Sequence, residues 1–327
     1  MALFGGHLMN KILVLGGTGF VGRHLCERLV ERNGGGGGII RVPSRRPARA
    51  KHIQMLPTVE LVQADVHDPA QLRRLVAGCD AVINLVAILH GRAADFERVH
   101  VALPRQLAQV CAEQGVRRLL HVSALGVGEG APSHYLRSKT EGEAVLRAQS
   151  GLDLTVLRPS VIFGAEDRFL NLFAALQRVF PVLPLAGARA RFQPVWVGDV
   201  AQALVHALDR PDSIGQTYEC AGPQVYTLAE LVRLAGELSG HPRPIVPLPE
   251  VLGWLQALVF ECLPGEPLMS RDNIASMRVP NVASGRLPGL QALGIAPVDL
   301  PSVAAGYLGG REPRSRYLQY RAFARRG

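Results

Sequence analysis

The chain has 327 residues, 48% of them hydrophobic, and a formal net charge of +9. That is enough for one large domain or two closely joined ones around a sizeable core. No apolar run reaches the ~18 residues needed to cross a bilayer. The five cysteines (Cys26, Cys79, Cys111, Cys220, Cys262) form no C-x-x-C pair, and the ten histidines show no metal-ligand spacing. The composition therefore predicts reduced thiols in a cytoplasmic setting and no metal. No nucleic-acid-binding module accompanies the positive charge, so no nucleic-acid partner is expected.

Met1–Asn10 lacks the basic flank and long apolar core of a signal peptide. Met9 is as good a start as Met1, and the first eight residues are read as a dispensable extension. Lys11–Leu15 predicts a buried strand, and the helix after it has Val21, Leu25 and Leu29 on one face. The glycine run Gly34–Gly38 reads as a surface connection. Further strands are predicted at Ile39–Val42, Val59–Val62, Ala81–Val86, Leu119–Val122 and Leu154–Leu157, with helices at 69–77, 98–114 and 135–148. Strands alternating with helices imply a Rossmann-type, doubly wound parallel sheet in an α/β fold, with its ligands at the carboxyl ends of the strands. From about residue 165 prolines punctuate shorter elements, which suits a smaller C-terminal lobe. Val195–Val197 reads as one more sheet strand before a capped helix. The expected division is 1–164, also receiving about 193–212, and 165–327.

The first strand runs straight into Gly16-Gly17-Thr18-Gly19-Phe20-Val21-Gly22. A dinucleotide needs this arrangement. The first glycine permits the turn, the second lets backbone approach the pyrophosphate, and the third lets helix pack on strand, with unpaired N–H groups at the helix start. An NAD site usually places an acid at the end of the second strand, yet none occurs from Asn33 to Val59. Arg41, Ser44, Arg45, Arg46, Arg49 and Lys51 stand there instead. Guanidinium groups beside a hydroxyl suit a 2′-phosphate, so NADP(H) is preferred and NAD(H) stays possible. Tyr135 and Lys139, spaced i, i+4, share a helix face. A nearby ammonium and a nicotinamide charge would bring the phenol, ordinarily of pKa about 10, into acid/base range. Ser123, after the fifth strand, is placed to hold a substrate carbonyl.

Gly16–Gly22, Asp65-Val66, Asn84–Ala87, Tyr135–Lys139, Arg158-Pro159 and Val197–Ala201 together resemble the ordered motifs of the short-chain dehydrogenase/reductase superfamily, of extended or atypical, epimerase/dehydratase-like type. That resemblance implies Asp65 and Val66 beside the adenine, Leu85, Val86 and Ala87 along the ribose–phosphate path, and Pro159 against the nicotinamide. A narrower resemblance rests on Tyr135–Lys139, Phe163–Asn171, Gln193–Asp199 and Leu287–Leu290. It is to the NADPH-binding accessory subunits of respiratory complex I and their bacterial relatives, a family similar to proteins linked with ubiquinone assembly. Two positions depart from the extended pattern. Ser123 is followed by Ala124 rather than a second hydroxyl residue, and His100 stands where an asparagine usually serves the active site. The loop between Ser123 and Tyr135 is short for a sugar-nucleotide enzyme.

Two function classes follow. One is an NADPH-dependent oxidoreductase with Tyr135 as proton donor, Lys139 as its tuner and Ser123 as carbonyl anchor, acting on an apolar carbonyl or a quinone-related substrate. The other is a nucleotide-holding assembly or regulatory protein in which the same residues only grip the ribose. A nucleotide-sugar epimerase or dehydratase is the third alternative. The tail from Arg311 to Arg326 holds six arginines and one acid, interleaved with Leu318, Tyr320 and Phe323. It suits an anionic membrane surface at the inner face, a partner protein, or plain solvation. Val251–Leu263 is apolar but at about 1.5 Å per residue too short to span. It reads as a core helix, with an interfacial helix as the alternative.

Overall fold

The computed structural model of the chain describes residues 9–265 and 267–309. The arginine-rich tail and the first eight residues lie outside them. The polypeptide separates into two units. Among the described residues, one combines 9–159 with Val197–Cys220 and Ala283–Ala296, and the other takes Ser160–Trp196, Ala221–Val282 and 297–309. The first unit thus closes five residues before the boundary expected at 164. It also takes in 283–296, which the sequence reading had given to the second.

The first unit is built on seven parallel strands: β1 (Lys11–Leu15), β2 (Ile39–Ser44), β3 (Val59–Gln63), β4 (Ala81–Asn84), β5 (Arg118–Val122), β6 (Asp153–Pro159) and β7 (Thr217–Cys220). Their order across the sheet is β3-β2-β1-β4-β5-β6-β7. Both faces are covered, so the central strands are buried without alternation; every residue of β4 is buried. On one face Leu13, Leu15, Val82, Leu119 and Val156 pack with Leu72 and Leu75 of helix α2 (Pro69–Val76), Leu107 and Cys111 of α3 (Leu103–Gln114) and Leu146 of α4 (His134–Ala148). Helix α1 (Phe20–Arg32) packs against α6 (Val197–Asp209), which is buried along nearly its whole length. Arg118 fastens α6 to the sheet. Its guanidinium donates to the carbonyls of Asp153 and Ala207 and to the hydroxyls of Thr155 and Ser213. A charge so deeply placed is tolerable because each of these donors finds an acceptor.

Sequence and structure part at three places here. Val195–Trp196 is not a strand of the main sheet; it pairs with Ile162–Phe163 in a separate two-stranded ribbon of the second unit. The seventh strand is instead Thr217–Cys220, whose four residues alternate polar and apolar. Thr217 and Glu219 are nevertheless buried, because Arg147 donates to the Thr217 hydroxyl and the Ser284 amide to the Glu219 carboxylate. The helix expected at 98–114 begins as a π-helical segment, Glu97–Ala102. Pro104 has no N–H for the His100 carbonyl and its ring would crowd that carbonyl in an α-helix, so the chain widens there. The His100 carbonyl then turns towards Gly142 of α4, where any Cβ would lie inside van der Waals contact with it.

In the second unit, α5 (Leu170–Val179), α7 (Leu228–Leu238) and α9 (Leu300–Leu308) share a core of Leu170, Ala174, Leu231, Ala235, Leu300 and Ala304. Asp167 starts α5 by accepting from the amides of Phe169, Leu170 and Asn171 and from the Tyr307 hydroxyl. Thr227 and Glu230 form a capping box at α7. The segment read as a core helix is α8 (Glu250–Cys262), but only Gly253 and Ala257 of it are buried. That reading is corrected: composition signalled burial, yet only the smallest residues are used to pack it.

Gly142→Ala should lower stability by about 1–3 kcal/mol, the range for forced overpacking, in urea unfolding. Gly128→Ala, where an added Cβ meets nothing within 4 Å, should change it by less than about 0.5 kcal/mol.

Candidate functional site

Because all seven strands run parallel, the segments that follow them gather along one edge of the sheet. Gly16 follows β1, Arg45 and Arg46 follow β2, Asp65 and Val66 follow β3, and Leu85–Ala87 follow β4. Ser123 follows β5, while Ser44 and Pro159 end β2 and β6. The glycine turn is tightly determined. Gly16 has φ +82°, and a Cβ there would lie 3.1 Å from the Leu85 carbonyl carbon and 3.2 Å from the Val86 nitrogen. A Cβ on Gly22 would collide with the Gly16 carbonyl and with Gly17. Gly19 is the N-cap of α1 and offers no side chain to the amides of its first turn, where Phe20 and Val21 follow Thr18 and Gly19. Those amides are left for an anion, and the cradle is one that only glycine leaves open.

At the ribose end the Ser44 hydroxyl accepts the Arg46 amide (3.2 Å). Arg45 and Arg46 are exposed, and among the described residues no carboxylate holds either. Arg41, counted above with this basic group, is otherwise engaged: it donates to Glu60 of β3 (2.8 Å) and to the Leu75 carbonyl (3.1 Å). His67 lies at the same end, close enough to Arg45 to feel its charge. Burial lowers its pKa; Asp65 opposes this, while Arg98 and Arg45 reinforce it. Asp65 accepts from the His67 amide (3.0 Å). Neither His67 nor Arg98 stood out in the sequence.

Tyr135, Lys139 and Glu143 succeed one another at i, i+4, i+8 on α4. Lys139 is 2% exposed, and its Nζ donates to the Val122 carbonyl (3.0 Å). Burial pulls its pKa down to about 8, against the opposing pull of the Glu143 carboxylate. Glu143 is itself buried and gripped by Arg158 in two bonds of 2.9 and 2.6 Å, with Arg147 at 3.6 Å. The sequence reading missed this pair, although the four-residue spacing carries it and Arg158 precedes Pro159 in a motif already noted.

The Tyr135 ring meets the rings of Phe96 and His100 edge-on, at centroid distances of 6.3 and 5.5 Å. Burial pushes its phenol up to about 12. The expected lowering by a neighbouring ammonium is therefore not a property of the protein alone; desolvation dominates, and the phenol keeps its proton at neutral pH. His100 is a satisfied histidine rather than a substrate-side group. Its Nε2 accepts the Ile88 amide (3.1 Å), so Nδ1 carries the proton and donates to Ser138 Oγ (2.9 Å), whose hydroxyl donates to the Tyr135 carbonyl (2.9 Å). Burial, then the Lys139 and His121 charges, push His100 down to about 2. Asn84 donates to His121 Nδ1 (3.2 Å) and accepts the Val86 amide (3.1 Å), which fixes the turn after β4.

Ser123 is different. Its hydroxyl is buried, directly after the carbonyl that anchors Lys139, and has no hydrogen-bond partner among the described residues. An unpaired buried hydroxyl costs about 1–3 kcal/mol.

The model of the NAD dependent epimerase/dehydratase family matches residues 12–221. The chain belongs to this family. It is 36% identical, over 88% of its length and 76% of the relative's, to the mouse (Mus musculus) mitochondrial NADH dehydrogenase (ubiquinone) 1 alpha subcomplex subunit 9. It is 32% identical to a ceramide reductase of Caulobacter vibrioides, over 73% of this chain and 74% of that one. Among solved structures, a Thermus thermophilus UDP-glucose 4-epimerase in complex with NAD aligns with a TM-score of 0.67 at 21% identity, covering 92% of this chain and 99% of that one. The last likeness is one of fold. The family is one of nucleotide-cofactor proteins, and the glycine turn and the uncapped α1 terminus fit such a group.

Lys139 carries a pH signature. Between about pH 8 and 10.5 the unfolded chain binds a proton at this residue that the folded chain does not, so its contribution to stability rises with pH through that window. Lys139→Met removes a penalty that is fully present below pH 8. Its stability relative to wild type should therefore decline by about 2 kcal/mol between pH 7 and pH 9.5, measured by urea unfolding at each pH.

Proposed function

We infer that the protein is an NADP(H)-dependent reductase of a carbonyl carried on an apolar molecule. The observation behind this reading is the buried, unpartnered Ser123 hydroxyl beside the anchor of Lys139. A hydroxyl in that position lacks an acceptor, which a substrate carbonyl oxygen supplies. The protonated Tyr135 phenol favours the reductive direction, in which it gives its proton to the oxygen of the reduced carbonyl. Lys139 steadies the phenolate left behind and serves the nicotinamide ribose. The bound cofactor supplies the hydride. Gly16, Gly19 and Gly22, with Thr18, Phe20 and Val21, would hold its pyrophosphate. Ser44, Arg45 and Arg46 would take the 2′-phosphate, Asp65 and Val66 the adenine, and Leu85, Val86 and Ala87 the ribose–phosphate path. Pro159 would border the nicotinamide. The apolar substrate is supported by the similarity to a protein named ceramide reductase, not by the 251–263 segment, whose large side chains are exposed.

A second reading, a nucleotide-holding subunit without turnover, is favoured by the 36% identity to a subunit of the NADH dehydrogenase alpha subcomplex. One substitution separates the two. Under the reductase reading, Tyr135→Phe lowers NADPH oxidation with long-chain ketones or quinones by at least about a hundredfold and leaves the NADPH dissociation constant within about twofold. NADH binds more weakly than NADPH to both proteins. If no member of the panel gives Tyr135-dependent oxidation while NADPH still binds, the holding role stands.

A further inference from the structure

Helix α8 is packed inside out. Its buried side is Gly253 and Ala257, set against Ala186 and Ile274. The approach is so close that a Cβ on Gly253 would lie 2.6 Å from the Ala186 Cβ. This fixes the helix's rotation and leaves its large side chains outward. Val251 is 79% exposed, and Leu252, Trp254, Leu255, Val259 and Leu263 are between 46% and 56% exposed. At 3.6 residues per turn these side chains spread over about half the circumference, and no charged residue falls within that half. An ordinary surface helix shows the reverse pattern. Contiguous exposed apolar surface of this kind marks an interaction site.

The rim says what kind. The two acids of α8 are both neutralised: Glu250 by Arg278 (2.5 Å) and Glu261 by Arg271 (2.7 Å). The Arg271 guanidinium also lies 5.1 Å from the centre of the Trp254 ring. A tryptophan bordered by an arginine at the edge of an apolar face suits the boundary between acyl chains and headgroups. The sequence adds a second signal. The eighteen residues after Gly309 carry six arginines and one acid, with Leu318, Tyr320 and Phe323 between them. An apolar helix face together with a polybasic segment is the pairing that reversible attachment to an anionic bilayer requires. A protein groove would be expected to supply polar contacts, and this half of the helix offers none.

We propose that the outward half of α8 inserts into the headgroup layer of an anionic lipid bilayer. The test uses the full-length protein and vesicles of phosphatidylcholine with or without phosphatidylglycerol. Wild type should sediment with the anionic vesicles at low salt and be released at high salt. In a Trp196→Phe background, Trp254 emission should shift to the blue on binding. Leu255→Glu with Val259→Glu, both at exposed positions, should lower the partition coefficient at least tenfold while keeping the far-ultraviolet circular dichroism of wild type. Absence of wild-type binding, unchanged Trp254 emission, or equal binding by the double variant overturns the proposal. If sedimentation velocity finds a wild-type dimer that the double variant dissolves, the face is covered by a second copy and the lipid assignment is wrong. The outcome is independent of whether Tyr135 catalyses.

Discussion

The arrangement of the first unit turns on one costly placement, the Lys139 amine buried beneath α4 with its Nζ on the Val122 carbonyl. A buried ammonium is tolerated only where acceptors and a counter-charge meet it. The Val122 carbonyl is available because β5 has just ended, and Glu143 lies one helical turn further along, itself fixed by Arg158 from β6. The same register turns Tyr135 towards Phe96 and His100. It also requires α4 to lie so close to the π-helical segment that only glycine fits at 142. Pro104, by denying the His100 carbonyl its helical partner, shapes that segment. A proline and a glycine nearly forty residues apart thus set the height at which the tyrosine and lysine stand.

On the proposed reductase reading, burial also sets the direction of the chemistry. Desolvation holds the phenol in its protonated form and brings Lys139 to about 8, within reach of neutral pH. A donor that keeps its proton until a charge arrives beside it suits reduction better than oxidation. The neutral His100, locked by three successive hydrogen bonds, adds shape but no charge.

The parallel sheet, its glycine turn and the Tyr135–Lys139 face could be read from the sequence because each rests on local spacing: apolar runs of strand length, glycines three apart, a four-residue helical step. Features that depend on distant partners were not legible. Thr217–Cys220 looks too polar for a buried strand until Arg147 and the Ser284 amide are known to meet it. Arg41 resembles its basic neighbours, yet Glu60 on the adjacent strand claims it. Val195–Trp196 has strand composition, but its partner, Ile162–Phe163, lies outside the main sheet. Helix α8 misled through hydropathy alone, since apolar composition says nothing about which side of a helix is packed. Its small residues, Gly253 and Ala257, carried that information. Pro104 was the one local sign of the π-helical segment.

We propose that the Lys139 ammonium is kept buried to meet a nucleotide. This is tested most directly by the NADPH dissociation constant between pH 6.5 and 9.5, followed by fluorescence titration of wild type and Lys139→Met. A ligand that prefers the charged amine should bind wild type with constant affinity up to about pH 8, then weaken by up to about tenfold per further pH unit as the amine loses its proton. Lys139→Met should bind more weakly throughout and lack that inflection. A wild-type profile that runs flat across pH 8, or one shared by the variant, would contradict the account.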